Sequence, residues 1–187
     1  MKTKYIFIAF IVTALVQLFA PLKMVYDNEM TVRSGTVYKF KTEPIDPSDP
    51  FRGKYVALNF QENSVVVQDS IYPIGEQLYA LLANDSTGFA VITGVAKVRP
   101  DNTTNYITVK SNGCYEGLLR LDLPFNVFYM EEGKAQEAEN GYREYTKQDT
   151  YNPAYALVAV KEGNAVVTDV IIDGLSIRKY VLRERKK

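Results

Sequence analysis

Side chains suited to chemistry are concentrated between Glu43 and Ser64, and carboxylates are the most numerous type among them. Carboxylates along a loop are typical ligands of Ca²⁺, a hard cation that binds without imidazole. Four of them lie in this stretch: Glu43, Asp46, Asp49 and Glu62. Their spacing lacks the alternating ligand positions of an EF-hand loop, so we predict no metal and no other cofactor. A Ca²⁺ site is the weaker alternative.

A lysine beside a serine would offer a second chemistry, that of a Ser-Lys hydrolase. Lys54 with Ser48 or Ser64 is the available pairing. The chain contains no His, which removes Ser-His and Cys-His mechanisms and the commonest general base. Ser48 lies between two Asp-Pro pairs, a setting typical of turns. We therefore predict a non-enzymatic protein, with an anchored hydrolase that resembles the membrane-anchored signal peptidases as the alternative.

An apolar run without charge extends from Tyr5 to Leu22 at the start of the chain. Lys2 and Lys4 precede the run and Lys23 follows it. A helix of this length reaches about 27 Å, close to the hydrocarbon thickness of a bilayer. The pattern predicts a transmembrane anchor over residues 1–23.

A cleavable signal peptide is the competing interpretation of this run. The nearest cleavage site would follow Ala20, with Leu18 at the third position before the cut and Pro21 directly after it. Both residues are unfavourable there, which favours retention of the helix. The basic residues before the run favour a cytoplasmic N-terminus. We expect a single-pass protein of the cytoplasmic membrane with its main domain outside the cytoplasm.

The composition of the remaining chain is typical of a β-rich domain. The full chain has 14 Tyr and 9 Phe, of which 13 Tyr and 6 Phe follow Lys23, and both types favour strands. The formal net charge of the chain is zero, which argues against a nucleic-acid partner. Cys114 is alone, so it forms no internal disulfide. We divide the chain into a junction at 24–30, one β-rich domain at 31–182 and a basic tail at 183–187.

Turn residues separate the segments with strand character, and one segment has helical periodicity. Ala138 and Tyr142 share one face of the predicted helix over 134–146. The basic end from Arg178 onward predicts a frayed tail, with contact to anionic lipid as the alternative. The expected fold is all-β and mostly antiparallel, barrel-like or a sandwich, with one short helix. The predicted strands are 31–41, 54–60, 65–67, 79–83, 89–98, 106–110, 117–123, 156–160 and 165–172.

The segment D-P-S-D-P-F-R-G-K-Y-V-A-L-N-F, at 46–60, resembles the signature of the GDYXXLXY family of bacterial membrane-anchored proteins. We call it the signature segment. Gly53, Tyr55 and Leu58 match the motif, whereas Lys54 replaces its Asp and Phe60 its final Tyr.

Other parts of the chain extend the resemblance to most of its length. The Asp-Pro pairs and Arg52 are typical of the family, as are the aromatic segment at 125–134 and the ending I-I-D-G at 171–174. The resemblance implies a membrane-tethered extracytoplasmic β domain whose molecular function is not established. A binding or scaffold role toward an envelope or membrane partner is the function we expect.

The residues of the signature segment have a structural interpretation of their own. In a strand, Val56, Leu58 and Phe60 share one face and form a ready core surface. Gly53 permits a backbone conformation or close approach that other residues resist. Fixation of the loop and of the strand register is the favoured role, with a partner-binding loop as the alternative. The tentative binding residues are Asp46, Asp49, Arg52, Gly53, Tyr55, Leu58 and Phe60.

Retention of the anchor predicts that the mature protein keeps Met1 to Leu22 and stays in the membrane fraction after carbonate washing. A reporter fused after Lys187 should be active only on the extracytoplasmic side. N-terminal sequencing of the membrane-extracted protein provides the direct check. A mature species that begins near Pro21 would contradict the anchor.

Overall fold

The computed structural model describes residues 2–43, 55–68, 71–130, 137–138, 140–142, 145–146 and 153–184. Two helices, α1 and α2, and twelve strands, β1 to β12, are assigned there. The helices are α1 (Lys2–Ser34) and α2 (Ile177–Glu184). The strands are β1 (Thr36–Glu43), β2 (Tyr55–Ala57), β3 (Asn59–Phe60), β4 (Ser64–Val66), β5 (Gln77–Asn84), β6 (Ala90–Ala96), β7 (Tyr106–Tyr115), β8 (Leu118–Asp122), β9 (Val127–Tyr129), β10 (Tyr155–Lys161), β11 (Asn164–Ile172) and β12 (Leu175–Ser176).

Helix α1 is long and apolar enough to cross a membrane, a property that a signal sequence shares. It continues past the predicted junction at 24–30, which is helical, and includes residues 31–34. The predicted strand over 31–41 is therefore wrong at its start, and β1 begins at Thr36. Local bonds explain the extension: the Thr31 hydroxyl donates to the Asp27 carbonyl over 2.8 Å, and Arg33 pairs with Glu29 one turn away.

Gly35 connects α1 to β1 at a point of very close packing. A Cβ on this residue would lie 2.5 Å from the Thr31 carbonyl oxygen and 2.8 Å from that of Val160. Lys161 Nζ also donates to Ser34 Oγ over 2.8 Å. The last turns of the helix are thus held against the β10–β11 hairpin, and no side chain fits at the joint.

Two five-stranded sheets, in the orders β12-β11-β10-β1-β3 and β4-β8-β7-β5-β6, and one two-stranded sheet, β2-β9, make a barrel-like arrangement. The strand pairings within these sheets are antiparallel, which confirms the predicted fold class. The predicted strands 79–83 and 89–98 correspond to the β5–β6 hairpin, and 156–160 and 165–172 correspond to the β10–β11 hairpin. Glu162 and Gly163 link β10 to β11 with φ of 48° and 90°, as in a type I′ turn.

The predicted strand over 54–60 is interrupted at Leu58, because its described parts join different neighbours, β2 with β9 and β3 with β1. The N–H of Leu58 donates to the Asn126 carbonyl over 2.9 Å and continues the β2–β9 register by one residue. The prediction also missed β9, β12 and α2. The basic end is helical from Ile177 to Glu184, since Ile177 and Val181 are buried against the domain.

Three phenylalanines from separate parts of the chain meet edge to face in the core. The ring centroids are 5.9 Å apart for Phe40 and Phe60, 5.1 Å for Phe40 and Phe125, and 5.2 Å for Phe60 and Phe125. Val56 and Leu58 are also buried, which confirms the predicted core face of the signature segment. The phenylalanines tie β1 and β3 to the segment that precedes β9.

The predicted helix over 134–146 is helical at every position described within it, namely 137–138, 140–142 and 145–146. Tyr142 is buried, and its hydroxyl donates to the Glu43 carbonyl over 3.1 Å at the end of β1. Burial raises the pKa of the Tyr142 phenol to about 12, and the nearby charge of Glu43 acts in the same direction. The hydroxyl is therefore a fixed donor that joins this helix to β1.

The raised pKa of Tyr142 predicts a loss of stability at alkaline pH. Between pH 10 and about 12 the unfolded chain releases the phenol proton while the folded chain keeps it. The free energy of unfolding should therefore fall by about 1.4 kcal/mol per pH unit in this window.

Tyr142→Phe tests this dependence, because it removes both the hydrogen bond and the proton. Near pH 9 the wild type should be more stable by about 1 kcal/mol, measured by urea unfolding in detergent. This advantage should shrink at about pH 11 and then reverse. A stability difference between the wild type and Tyr142→Phe that does not change with pH would contradict the raised pKa of Tyr142.

Candidate functional site

A cleft of about 820 Å³ lies beside β11, between the two five-stranded sheets. Its walls come from α1, β5, β7, β8, β9, β11 and α2 and from the segment that precedes β9. This volume is in the range of sites that hold small molecules or short segments.

The closed end of the cleft is the point where the β10–β11 turn touches β7. Ile107 and Gly163 form a parallel bridge, and the Thr108 N–H donates to the Gly163 carbonyl over 2.9 Å. A Cβ on Gly163 would lie 2.6 Å from Thr108 Oγ1 and 3.0 Å from a ring carbon of Tyr106. Beyond this contact β7 and β11 separate, and residues of both strands line the cleft.

The signature segment supports the opposite wall. Strand β9 lines the cleft, and its pairing partner is β2, in the register Tyr55 with Tyr129 and Ala57 with Val127. The wall is therefore built on the strand that carries the family motif. A change in the register of β2 would displace β9.

The cleft combines an apolar surface with three charged side chains. Leu123, Val127 and Val167 are partly exposed and contribute apolar surface, and the charged residues are Lys110, Asp122 and Arg178. The Arg178 guanidinium lies 5.5 Å from the centroid of the Phe128 ring, and an Asp122 oxygen accepts from Asn112 over 3.0 Å. Within the described residues, no ion pair is found for Lys110 or Arg178. The cleft is therefore weakly cationic.

Part of the cleft is lined by α1, just beyond the end of its apolar run at Leu22. Met24 and Asn28 line it, and Asn28 lies about 9 Å along the helix beyond Leu22. A second hollow of about 300 Å³ separates this part of the helix from the β10–β11 turn. A molecule in the cleft would therefore contact both the domain and the helix.

Most of the site residues predicted from the sequence lie elsewhere or outside the described part. Leu58 and Phe60 are 4% and 2% exposed, so they pack in the core rather than face a partner. Tyr55 is placed through its backbone in β2, and its side chain is outside the described part. A binding role for the loop stays a prediction. Asp46, Ser48, Asp49, Arg52, Gly53 and Lys54 fall outside the described residues.

Sequence reasoning missed the residues that line the cleft, since these come from distant parts of the chain. Lys110 and Arg178 are separated by many residues and carry no motif. The one local signal was the strand pattern of 165–172, which contains no Lys or Pro. In the described residues, no three carboxylates or thiols are grouped so that they could hold a metal ion.

The fold defines a β-rich domain carried on an apolar N-terminal helix. The model of the GDYXXLXY protein family matches residues 17–170, so the chain belongs to that family. The match includes the end of the apolar run, the signature segment and nearly all of the cleft-lining strands. Neither a curated protein nor a solved structure matches the chain.

The contact of Gly163 with β7 predicts an unusually costly glycine substitution. Gly88→Ala provides the matched control, because Gly88 has φ of 81° with nothing within 4 Å of an added Cβ. That control should cost about 1 kcal/mol through backbone strain alone. Gly163→Ala should cost about 1–3 kcal/mol more, because the methyl group overlaps Thr108 and Tyr106.

Thermal unfolding of the two full-length variants in detergent measures the difference. Equal destabilisation would show that the turn does not depend on its contact with β7.

Proposed function

We propose that the protein is a non-enzymatic binding module, held by α1 on the extracytoplasmic face of the cytoplasmic membrane. The cleft is the surface on which it binds an envelope or membrane partner. The observation that supports this proposal is the joint construction of the cleft from the domain and from α1, through Met24 and Asn28. A partner bound there would be held beside the lipid surface.

The joint at Gly35 supports the same role. Because the helix is packed against the β10–β11 hairpin, the cleft keeps a defined position relative to the apolar run. A flexible tether would give the domain reach without orientation, whereas this joint gives it orientation. An oriented cleft suits a partner in or near the same membrane.

The anchored Ser-Lys hydrolase receives no support from the cleft. Among the described residues, none that lines the cleft is a serine. Ser64 lies on β4, where it pairs with Arg120 at the edge of the other sheet. If a fluorophosphonate labels the protein, and the label is lost when one serine is substituted, the hydrolase would replace our proposal.

Photo-crosslinking in intact membranes tests the binding role. A photoreactive residue in place of Asn164, in the cleft, should yield a discrete crosslinked product. The same residue in place of Val66, which is 81% exposed on the other sheet, serves as the matched control. Arg178→Gln should reduce the first product about tenfold, on the scale of one charge-assisted hydrogen bond. A crosslinked product from position 66 alone would contradict the cleft as the binding surface. A product from position 164 whose yield is unchanged in Arg178→Gln would contradict it too.

A further inference from the structure

The free edge of β11 has the properties of a docking strand. On one side β11 pairs with β10 along its length, but on the other β12 covers only Ile171 and Ile172, and β7 touches only Gly163. Within the described residues, the edge from Asn164 to Val170 therefore has no strand partner. Its first five residues all line the cleft.

Hairpin geometry shows which backbone groups face outward. Lys161 and Asn164 flank the two-residue turn, and in such a hairpin this pair exchanges hydrogen bonds. Hydrogen-bonded and non-bonded pairs alternate along an antiparallel ladder. Ala165 and Val167 are consequently the residues whose N–H and C=O groups point away from β10.

Within the described residues, the edge from Asn164 to Val167 carries no charge, no proline and no paired strand, although α1 lies close to β11. Natural edges are protected by Lys, Pro, bulges, short length or cover from other elements. By comparison, β4 at an edge of the other sheet has only three residues. Thr168 is the extra residue of a bulge on β11, opposite Leu157 and Val158, and it ends the regular edge.

Charge indicates what the added strand would carry. Lys110 and Arg178 line the cleft and form no ion pair among the described residues. Lys110 lies opposite Asp122 in the β7–β8 register, but Asp122 accepts from Asn112. An acidic side chain would neutralise either cation. An anionic lipid would satisfy the charges too, but an acyl chain has no groups to pair with the backbone of Ala165 and Val167.

We propose that β11 receives an extended peptide segment with acidic side chains, which adds to its free edge as a strand within the cleft. The inference rests on the proposed function and specifies the chemistry of the partner. Backbone hydrogen bonds to β11 would supply affinity. Alternate side chains against Leu123, Val127 and the two cations would supply specificity.

A proline substitution isolates the backbone contribution. Ala165→Pro removes an outward N–H without removing a bond to β10, and proline is tolerated at such edge positions. Ala165→Val is the matched control, because it adds a side chain of similar size and keeps the N–H. Thermal unfolding should show that both full-length variants fold in nanodiscs.

The probe is a displayed library of random peptides of about seven residues, selected on the full-length protein in nanodiscs of neutral lipid. Selected peptides should have an apolar residue at every second position and should contain Asp or Glu. Their affinity should fall up to about tenfold in Ala165→Pro and stay within about twofold in Ala165→Val. Lys110→Gln with Arg178→Gln should remove the preference for acidic residues.

Equal binding to the proline and valine variants would overturn strand addition while leaving the cleft as a binding surface. If no peptide is selected, and the protein binds anionic vesicles in a way that depends on Lys110 and Arg178, the ligand of the cleft would be lipid rather than peptide. A crosslinked partner at position 164 whose yield is unaffected by Ala165→Pro would also overturn the inference, although the proposed function would stand.

Discussion

The contact between the β10–β11 turn and β7 is the constraint on which the arrangement of the sheets depends. Type I′ geometry requires positive φ at both turn residues, and Gly163 satisfies it without a side chain. The missing Cβ lets the turn approach Thr108 closely enough for a backbone hydrogen bond of 2.9 Å. One local choice of residue therefore joins the two sheets and sets the closed end of the cleft between them.

The same hairpin also carries the contact with the helix. Val160 packs against Gly35, and Lys161 donates to Ser34, at the end of α1. Val160 and Lys161 are the two residues directly before the turn that contacts β7. Helix, hairpin and second sheet are consequently linked through one short stretch of chain. A force or displacement at α1 would be transmitted to the cleft through packed backbone rather than through a loop.

The family signature has a clear structural role in the residues that the structure describes. Phe60 belongs to the cluster of three phenylalanines, and Leu58 is buried beside it. The strand of Tyr55 to Ala57 supports β9, which forms a wall of the cleft. The motif therefore supports a wall of the cleft that is made by residues outside the motif.

The sequence by itself determined the features that depend on local pattern. The apolar run indicated the long N-terminal helix, alternation and turn residues indicated the strands, and the spacing of Val56, Leu58 and Phe60 indicated a core face. Tertiary structure decided the rest. The described part of the segment 54–60 was divided between two neighbours, because β2 pairs with β9 and β3 with β1, and the free edge of β11 met Lys110 and Arg178. Such outcomes depend on pairing between residues far apart in the chain, and a single sequence carries no local signal for that pairing.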